Sequence, residues 1–307
     1  FAQTVTLPQA LEMAEKNNLD IRASLLNEDY YRALEKSHAT IEKTHIGAEY
    51  GKINSLANDN RLSISQGLAF PAVYKRQQSI NKTNTLISET GTRIKKNELN
   101  RTVREVFYKL IVLEKKRALL LEADTIYFNF LKKADQRLKA GDTDIIEKTT
   151  AENHRWQIAN QLAVLSTDYD ILLNEFKQLL NTSAMITPIA DELVYPLSTL
   201  PDTGSIEKNP LLEFERRLVE LSDHERQLEK ARNLPTINLG YHNGSIIGYQ
   251  RVRTEEKYFD AGKRFSSASL GIGIPIFNSA HRARIKAGDI LVSQRKTQLE
   301  ASRKELT

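Results

Sequence analysis

The side chains that could do chemistry in this chain are few and scattered. Six histidines occur, at positions 38, 45, 154, 224, 242 and 281, and none pairs with another at metal-ligand spacing. Cysteine is absent and methionine occurs twice, so soft-metal ligation has almost no donors to draw on. Only His242, close to Asn238 on what reads as the wet face of a strand, stands where a passing cation could meet it; lining such a face is its plainer role. No nucleophile motif, phosphate-cradling loop or paired-carboxylate signature appears. Gly271-Ile272-Gly273 lacks the third glycine and the helix start of a dinucleotide site, so it reads as strand. From its residues the chain holds no catalytic, cofactor or metal site, and it is not expected to be an enzyme.

The elements around these residues are more informative than the residues themselves. Four stretches alternate apolar with small or polar side chains: 45–54, 61–70, 236–244 and 267–277. One face carries Ile46, Tyr50, Leu62, Ile64, Ile237, Leu239, Tyr241, Leu270, Ile272 and Ile274. The other carries Ser63, Ser65, Asn238 and His242 together with Gly240, Gly271 and Gly273. Ten-residue strands that are oily on one side and small or wet on the other suit a barrel wall with lipid outside and water inside. The first set is therefore expected to face lipid and the second to line a pore. Tyr50, Phe70, Tyr74, Tyr241 and Phe277 lie near strand ends, where an aromatic girdle would sit.

Bulk composition fits either a globular or a coiled-coil chain: 307 residues, 40% hydrophobic, 27% charged and 7% aromatic. The net charge of +5 is spread as interleaved cations and anions, with no basic block carrying aromatics, so nucleic acid is not an expected partner. No apolar run approaches the roughly 20 residues of a spanning helix. Phe1-Ala2-Gln3 is consistent with the residue of a cleaved secretory signal.

Helical patterns fill the rest. A capping box, Thr6 with Gln9, opens the first helix; Asn17-Asn18 interrupts it, and Leu19 to Glu42 resumes. From Tyr74 to Leu138 no proline occurs, enough for a helix of about 100 Å. Leu99, Val103, Val106, Leu110 and Leu113 step through it as a coiled-coil seam, and Leu119, Leu121, Ile126, Phe128 and Phe130 widen the stripe for neighbours on both sides. Ala140-Gly141-Asp142-Thr143-Asp144 breaks the pattern, and the chain is expected to reverse there into a return helix ending near Leu180. Asn181 to Ser205, with Pro188, Pro196, Pro201 and Gly204, reads as an irregular connector.

The chain also repeats. An offset of 191 carries Asn18 to Asn209, Ile46 to Ile237 and Tyr50 to Tyr241; an offset of 208 carries Leu62 to Leu270, Ile64 to Ile272 and Arg76 to Arg284. The first repeat spans residues 1–204: a helix, a strand pair over 45–70, a long helical hairpin over 74–180 and the connector 181–204. The second spans 205–307: a helix over 206–233, a strand pair over 236–277 and the start of a helix over 278–307. The second strand pair has a connection 17 residues longer, carrying Gly248 to Lys263.

In order and spacing, Leu7-Pro8-Gln9-Ala10-Leu11, Lys208-Asn209-Pro210, Leu234-Pro235-Thr236-Ile237 and Gly271-Ile272-Gly273-Ile274-Pro275 resemble the TolC family of outer-membrane efflux proteins. The flavour is closest to its heavy-metal cation members of the CzcC and CusC type. The resemblance implies a homotrimer sharing one transmembrane barrel of twelve strands, four from each protomer, continued by a helical tunnel into the periplasm of a Gram-negative bacterium. It implies an outer-membrane channel subunit of a tripartite efflux system, exporting small toxic solutes, heavy-metal cations among them. Its partners would be outer-membrane lipid, a periplasmic adaptor protein and an inner-membrane pump. Leu138, Gly141, Asp142, Thr143 and Asp144 match the family's docking turn. Family members carry a second long hairpin; by the offset of 208 its turn would fall at 349, past Thr307, so a fragment, or a chain unable to close the usual tunnel, is expected. The fold class is mainly α with β, and the alternative function is a soluble periplasmic helical scaffold or interaction protein.

Overall fold

The computed structural model describes residues 3–190 and 203–307, and the side chains of all of these but 203–205. Phe1, Ala2 and the connector residues 191–202, with Pro196 and Pro201, lie outside the described residues. In chain order the elements are β1 (Gln3–Val5), α1 (Leu7–Asn17), α2 (Leu19–Leu34), β2 (His45–Gly51), β3 (Asp59–Leu68), α3 (Pro71–Ala140), α4 (Ile145–Leu179), β4 (Ile186–Pro188), α5 (Pro210–Arg232), β5 (Thr236–Ser245), β6 (Gly248–Val252), β7 (Glu255–Phe259), β8 (Arg264–Gly273) and α6 (Ser279–Glu305). No described helix is long and apolar enough to cross a membrane.

The chain forms two compact units. One comprises residues 1–26 and 91–201, the other 27–90 and 202–307, so α2 and α3 each contribute to both. In the first unit, Ala10 and Ala14 of α1 pack with Val103, Val106, Phe107 and Leu110 of α3 and with Phe176 and Leu180 at the end of α4. The seam read from the leucine and valine spacing is thus a buried one. Alanine on α1 lets its backbone approach closely, and the Phe107 and Phe176 rings meet at 6.1 Å. The short strands β1 and β4 pair in parallel beside this core.

In the second unit lies a four-stranded antiparallel sheet in the order β2-β3-β5-β8. The hairpins β2–β3 and β5–β8 join through the pairing of β3 with β5. Two helix starts, one before each hairpin, are alike. Asn18 and Asn209 have nearly the same backbone, φ −64° ψ 126° and φ −63° ψ 129°. Each carboxamide oxygen accepts the amide two residues on, Asp20 and Leu211 respectively, at 2.9 Å.

Several element ends differ from expectation. The helix expected to reach Glu42 stops at Leu34, because side chains take its last carbonyls. Ser37 Oγ and Asn81 Nδ2 both donate to the Leu34 carbonyl at 2.7 Å, and Thr40 Oγ1 donates to Ser37. The extra 17 residues are not a plain loop: β6 and β7 form a hairpin of their own with Tyr249 opposite Tyr258. Ile274, expected within a strand, lies one residue past β8, where Pro275 can offer no amide to the ladder.

Candidate functional site: a two-faced sheet and a helical turn

Antiparallel partners share a face, so the register sorts every strand residue. Ile64 lies between Ile46 and Tyr241; Leu62 is opposite Ala48; Leu239 is opposite Leu270; and Ile237 is opposite both Leu68 and Ile272. With Tyr50 they form one face, and nine of the ten residues read as lipid-facing stand on it within the strands. Ile274 continues that face's alternation beyond β8. Of the ten, all but the half-buried Ile237 are exposed: Ile46 and Tyr50 are each 77% exposed, Leu270 70% and Ile272 65%. Among the described residues no helix of the unit covers the exposed ones.

The oily face has limits. Toward the loops, Arg264 donates to the Asn243 side chain at 2.6 Å and backbone at 2.7 Å, and also binds Asn60 Oδ1, so this edge is a knot of polar groups. Gln66 interrupts the face near the helices, and the spacing pattern gave no warning of it. Its carboxamide is satisfied locally, accepting from Thr44 at 2.7 Å and donating to the Glu42 and Gly67 carbonyls at 2.8 Å.

The opposite face holds His45, Glu49, Asp59, Arg61, Ser63, Ser65, Asn238, His242, Ser267 and Ser269, so all four residues read as pore-lining come together there. Seven glycines also fall on this face: Gly47, Gly51, Gly67, Gly240, Gly244, Gly271 and Gly273. None falls on the oily one. At four of them there is a steric reason: a Cβ added to Gly47 would meet Ser63 Oγ at 2.9 Å, one on Gly67 would meet Asn238 Oδ1 at 3.3 Å, and Gly240 and Gly273 lie as tightly against Ser269 and Thr236, whereas Gly51, Gly244 and Gly271 have room. At the loop end a groove of 380 Å³ is bounded by Asn54, Arg61, His242, Phe265 and Ser267. Arg61 is held there by Glu49 at 3.2 Å and Asn54 at 2.9 Å. Asp59 is fully buried and accepts from the Asn54 and Ile247 amides at 2.9 and 2.8 Å, tying both hairpins together.

The second candidate site is the turn between α3 and α4. Gly141 has φ +77°, its amide bonds the Leu138 carbonyl at 3.1 Å, and the Asp142 amide bonds Arg137 at 2.9 Å. This left-handed closure satisfies the last carbonyls of α3. Asp144 caps α4 by accepting from the Ile146 amide at 2.9 Å, and Thr143 Oγ1 donates to Glu147 at 2.7 Å. Asp142 projects into solvent. Just below, Asp135 takes Lys139 at 2.7 Å and Lys148 at 2.9 Å, hydrogen bonds that hold its carboxyl well down, at about 2. Ile145 and Ile146, 65% and 67% exposed, belong to the same tip, though helix periodicity alone did not single them out. Their signal was two β-branched apolar residues directly after a cap.

The rest of α3 and α4 leaves much apolar surface bare. Leu119, Ile126, Phe128, Trp156, Val164 and Ile171 are all exposed, and a 630 Å³ groove runs past Tyr108, Val112, Leu113, Ile171 and Leu172. Among the described residues no cluster of three or more His, Asp or Glu could hold a metal ion.

Comparison with solved structures decides what this arrangement of helices and sheet is. CusC, whose crystal structures concern folding and transmembrane channel formation, matches over 97% of this chain and 72% of its own, at TM-score 0.77 and 15% identity. The chain has the fold of the TolC-type outer-membrane efflux channels. The outer-membrane channel OprN matches over 96% of this chain and 70% of its own, at TM-score 0.75 and 15% identity. The outer-membrane protein VceC of Vibrio cholerae matches over 97% and 75%, at TM-score 0.72 and 10% identity. No family model matches the sequence, and no curated protein sequence does. The TolC-type fold here is mainly α, with two strand hairpins joined in one sheet.

Proposed function

We propose that this chain is an outer-membrane channel subunit of a tripartite efflux system, three copies closing one barrel of twelve strands that opens into the periplasm. The observation that carries this reading is the two-faced sheet on a TolC-type fold. One face is apolar and uncovered; the other is polar and stripped of side chains at seven glycines. A soluble scaffold would bury the oily face beneath its own helices, since exposed apolar area of this extent is costly in water. Lipid removes that cost. Exposed apolar stripes on α3 and α4 offer packing surface for neighbouring protomers, and the Gly141 turn with Asp142 offers a docking tip for a periplasmic adaptor and pump.

In this reading the protein is a conduit without chemistry of its own, passing small toxic solutes, with heavy-metal cations as the class to try first. The absence of native cysteine makes the test direct. Single cysteines at Leu270 and Ile272, against Ser269 and Asn238, are reacted with a membrane-impermeant thiol reagent in native outer membranes. Labelling at the second pair alone is expected. Equal labelling at both pairs, with the protein recovered in the soluble fraction, would select the scaffold instead.

A further inference from the structure

We propose that the β6–β7 hairpin folds over the polar face at the loop end of the sheet and sets the largest solute that can pass there. The inference rests on the channel reading above and adds a size filter to it. Both stems of the hairpin carry the geometry.

Between β7 and β8, Phe259 and Phe265 are six residues apart, which extended backbone would separate by about 20 Å. Their ring centroids stand 5.6 Å apart, edge to face. The chain therefore doubles back between them, through a turn in which Asp260 Oδ1 accepts the Gly262 and Lys263 amides at 2.9 and 3.2 Å. Phe265 is opposite Gly244 and so belongs to the polar face, and Phe259 is drawn onto that side.

The other stem agrees. β5 ends at Ser245, and the Ile247 amide donates to Asp59 Oδ1 at 2.8 Å. Asp59 is opposite Gly51, again on the polar face. Gly248 follows at φ +122°, a conformation that glycine adopts freely and other residues do not, and it lets the strand change direction as β6 begins. Ile246 and Phe265, one from each stem, line the groove of 380 Å³ at this end.

Within the hairpin, Gln250 and Lys257 share the face of Phe259, while Tyr249 and Tyr258 stand exposed on the opposite one. Apolar rings on a wet face gain by covering one another, which holds the hairpin down. The edge-to-face contact itself weights that position only about threefold to tenfold, so the hairpin acts as a flap rather than a fixed wall. β2 and β3 carry no such insert, and three protomers would bring three flaps to the opening.

The chain has no native cysteine, so Ser65→Cys serves as a reporter on the polar face beyond the flap. Maleimides on polyethylene glycol chains of increasing length are added outside whole cells, and Tyr258→Cys on the exposed side of the hairpin is the control for reaction without passage. Ser65→Cys is expected to label with short chains and to stop at a cut-off length that Tyr258→Cys does not show. Replacing residues 248–263 by Asn-Gly in the reporter is expected to move the cut-off to longer chains. Phe259→Ala in the reporter is expected to speed labelling at the cut-off length about threefold to tenfold; where the shortened chain yields no trimers, this variant decides alone. The same cut-off and rate with the flap intact, unlatched or removed overturn the filter. A reporter silent to every chain length in all three backgrounds, while Tyr258→Cys reacts, overturns the channel reading, and the filter falls with it.

Discussion

Replacing Ile272 with arginine puts the facing of the sheet to a quantitative test. On β8 and beyond it the oily face runs through Ala268, Leu270, Ile272, Ile274 and Ile276, while Ser266 and Arg264 close it toward the loops. The chain leaves the strand at Gly273 and bends at Ile276, so those eight steps span at most about 27 Å, and a strand tilt of about 40° leaves at most about 21 Å of height. That nearly fills the apolar band of about 25 Å that outer-membrane barrels present to lipid. Ile272 is its centre. An arginine there would sit near the bilayer midplane and cost about 2–4 kcal/mol of folding free energy. Ile64 stands in the cross-strand row of Tyr241 and Ala268, four residues toward the loops from Ile272, so its arginine variant should cost less, about 1–2 kcal/mol. Ser65→Arg, one residue away on the opposite face, reaches water and should cost under about 1 kcal/mol. Reversible urea unfolding in lipid vesicles, followed by the heat-dependent gel mobility of barrels, measures all three. Equal costs for Ile272→Arg and Ser65→Arg, or a cost near zero for both, would refute the assignment of faces.

Three further outcomes follow from the helical turn. Gly141→Val forces a β-branched residue to φ +77° and should cost the turn about 1–2 kcal/mol, weakening export while crosslinked trimers persist; unchanged tolerance of toxic cations would count against a docking role. Asp144→Ala removes the cap on α4 and should cost about 1 kcal/mol, read as faster amide exchange at Ile146 and Glu147; Asp144→Asn should restore protection. Asp135 has its carboxyl pulled down to about 2, so its contribution is intact above the usual carboxylate range and fades as pH falls from about 4 toward 2. Amide exchange near Lys148 should therefore accelerate over that interval in wild type and show no such step in Asp135→Asn.

What could be read from the residues alone was decided by periodicity. Period-two alternation sorted Leu62, Ile64, Ser63 and Ser65 correctly between faces because a strand allows only two directions for a side chain. The turn at Gly141 was legible because one glycine and a following Asp cap are local signals. The β6–β7 hairpin was hidden: its turn uses Arg253 at φ +61° in place of the usual glycine or asparagine, and Glu255-Glu256-Lys257 does not alternate. The pairing of β1 with β4 was equally invisible, since three residues at each end of a long separation leave no pattern. Gln66 broke the oily face without notice because its partners, Glu42 and Thr44, come from outside the strands.

The unequal hairpins bear on symmetry. A duplicated unit whose copies stayed alike would give a closed ring of six interchangeable staves. Here only the later hairpin carries the ornament from Gly248 to Lys263, so if three copies close one barrel, plain and decorated staves would alternate around its loop-side rim and sixfold likeness would give way to threefold. Surface-exposed Tyr249 and Tyr258 would then appear three times on that rim, and antibodies or tags directed there would count protomers rather than strands.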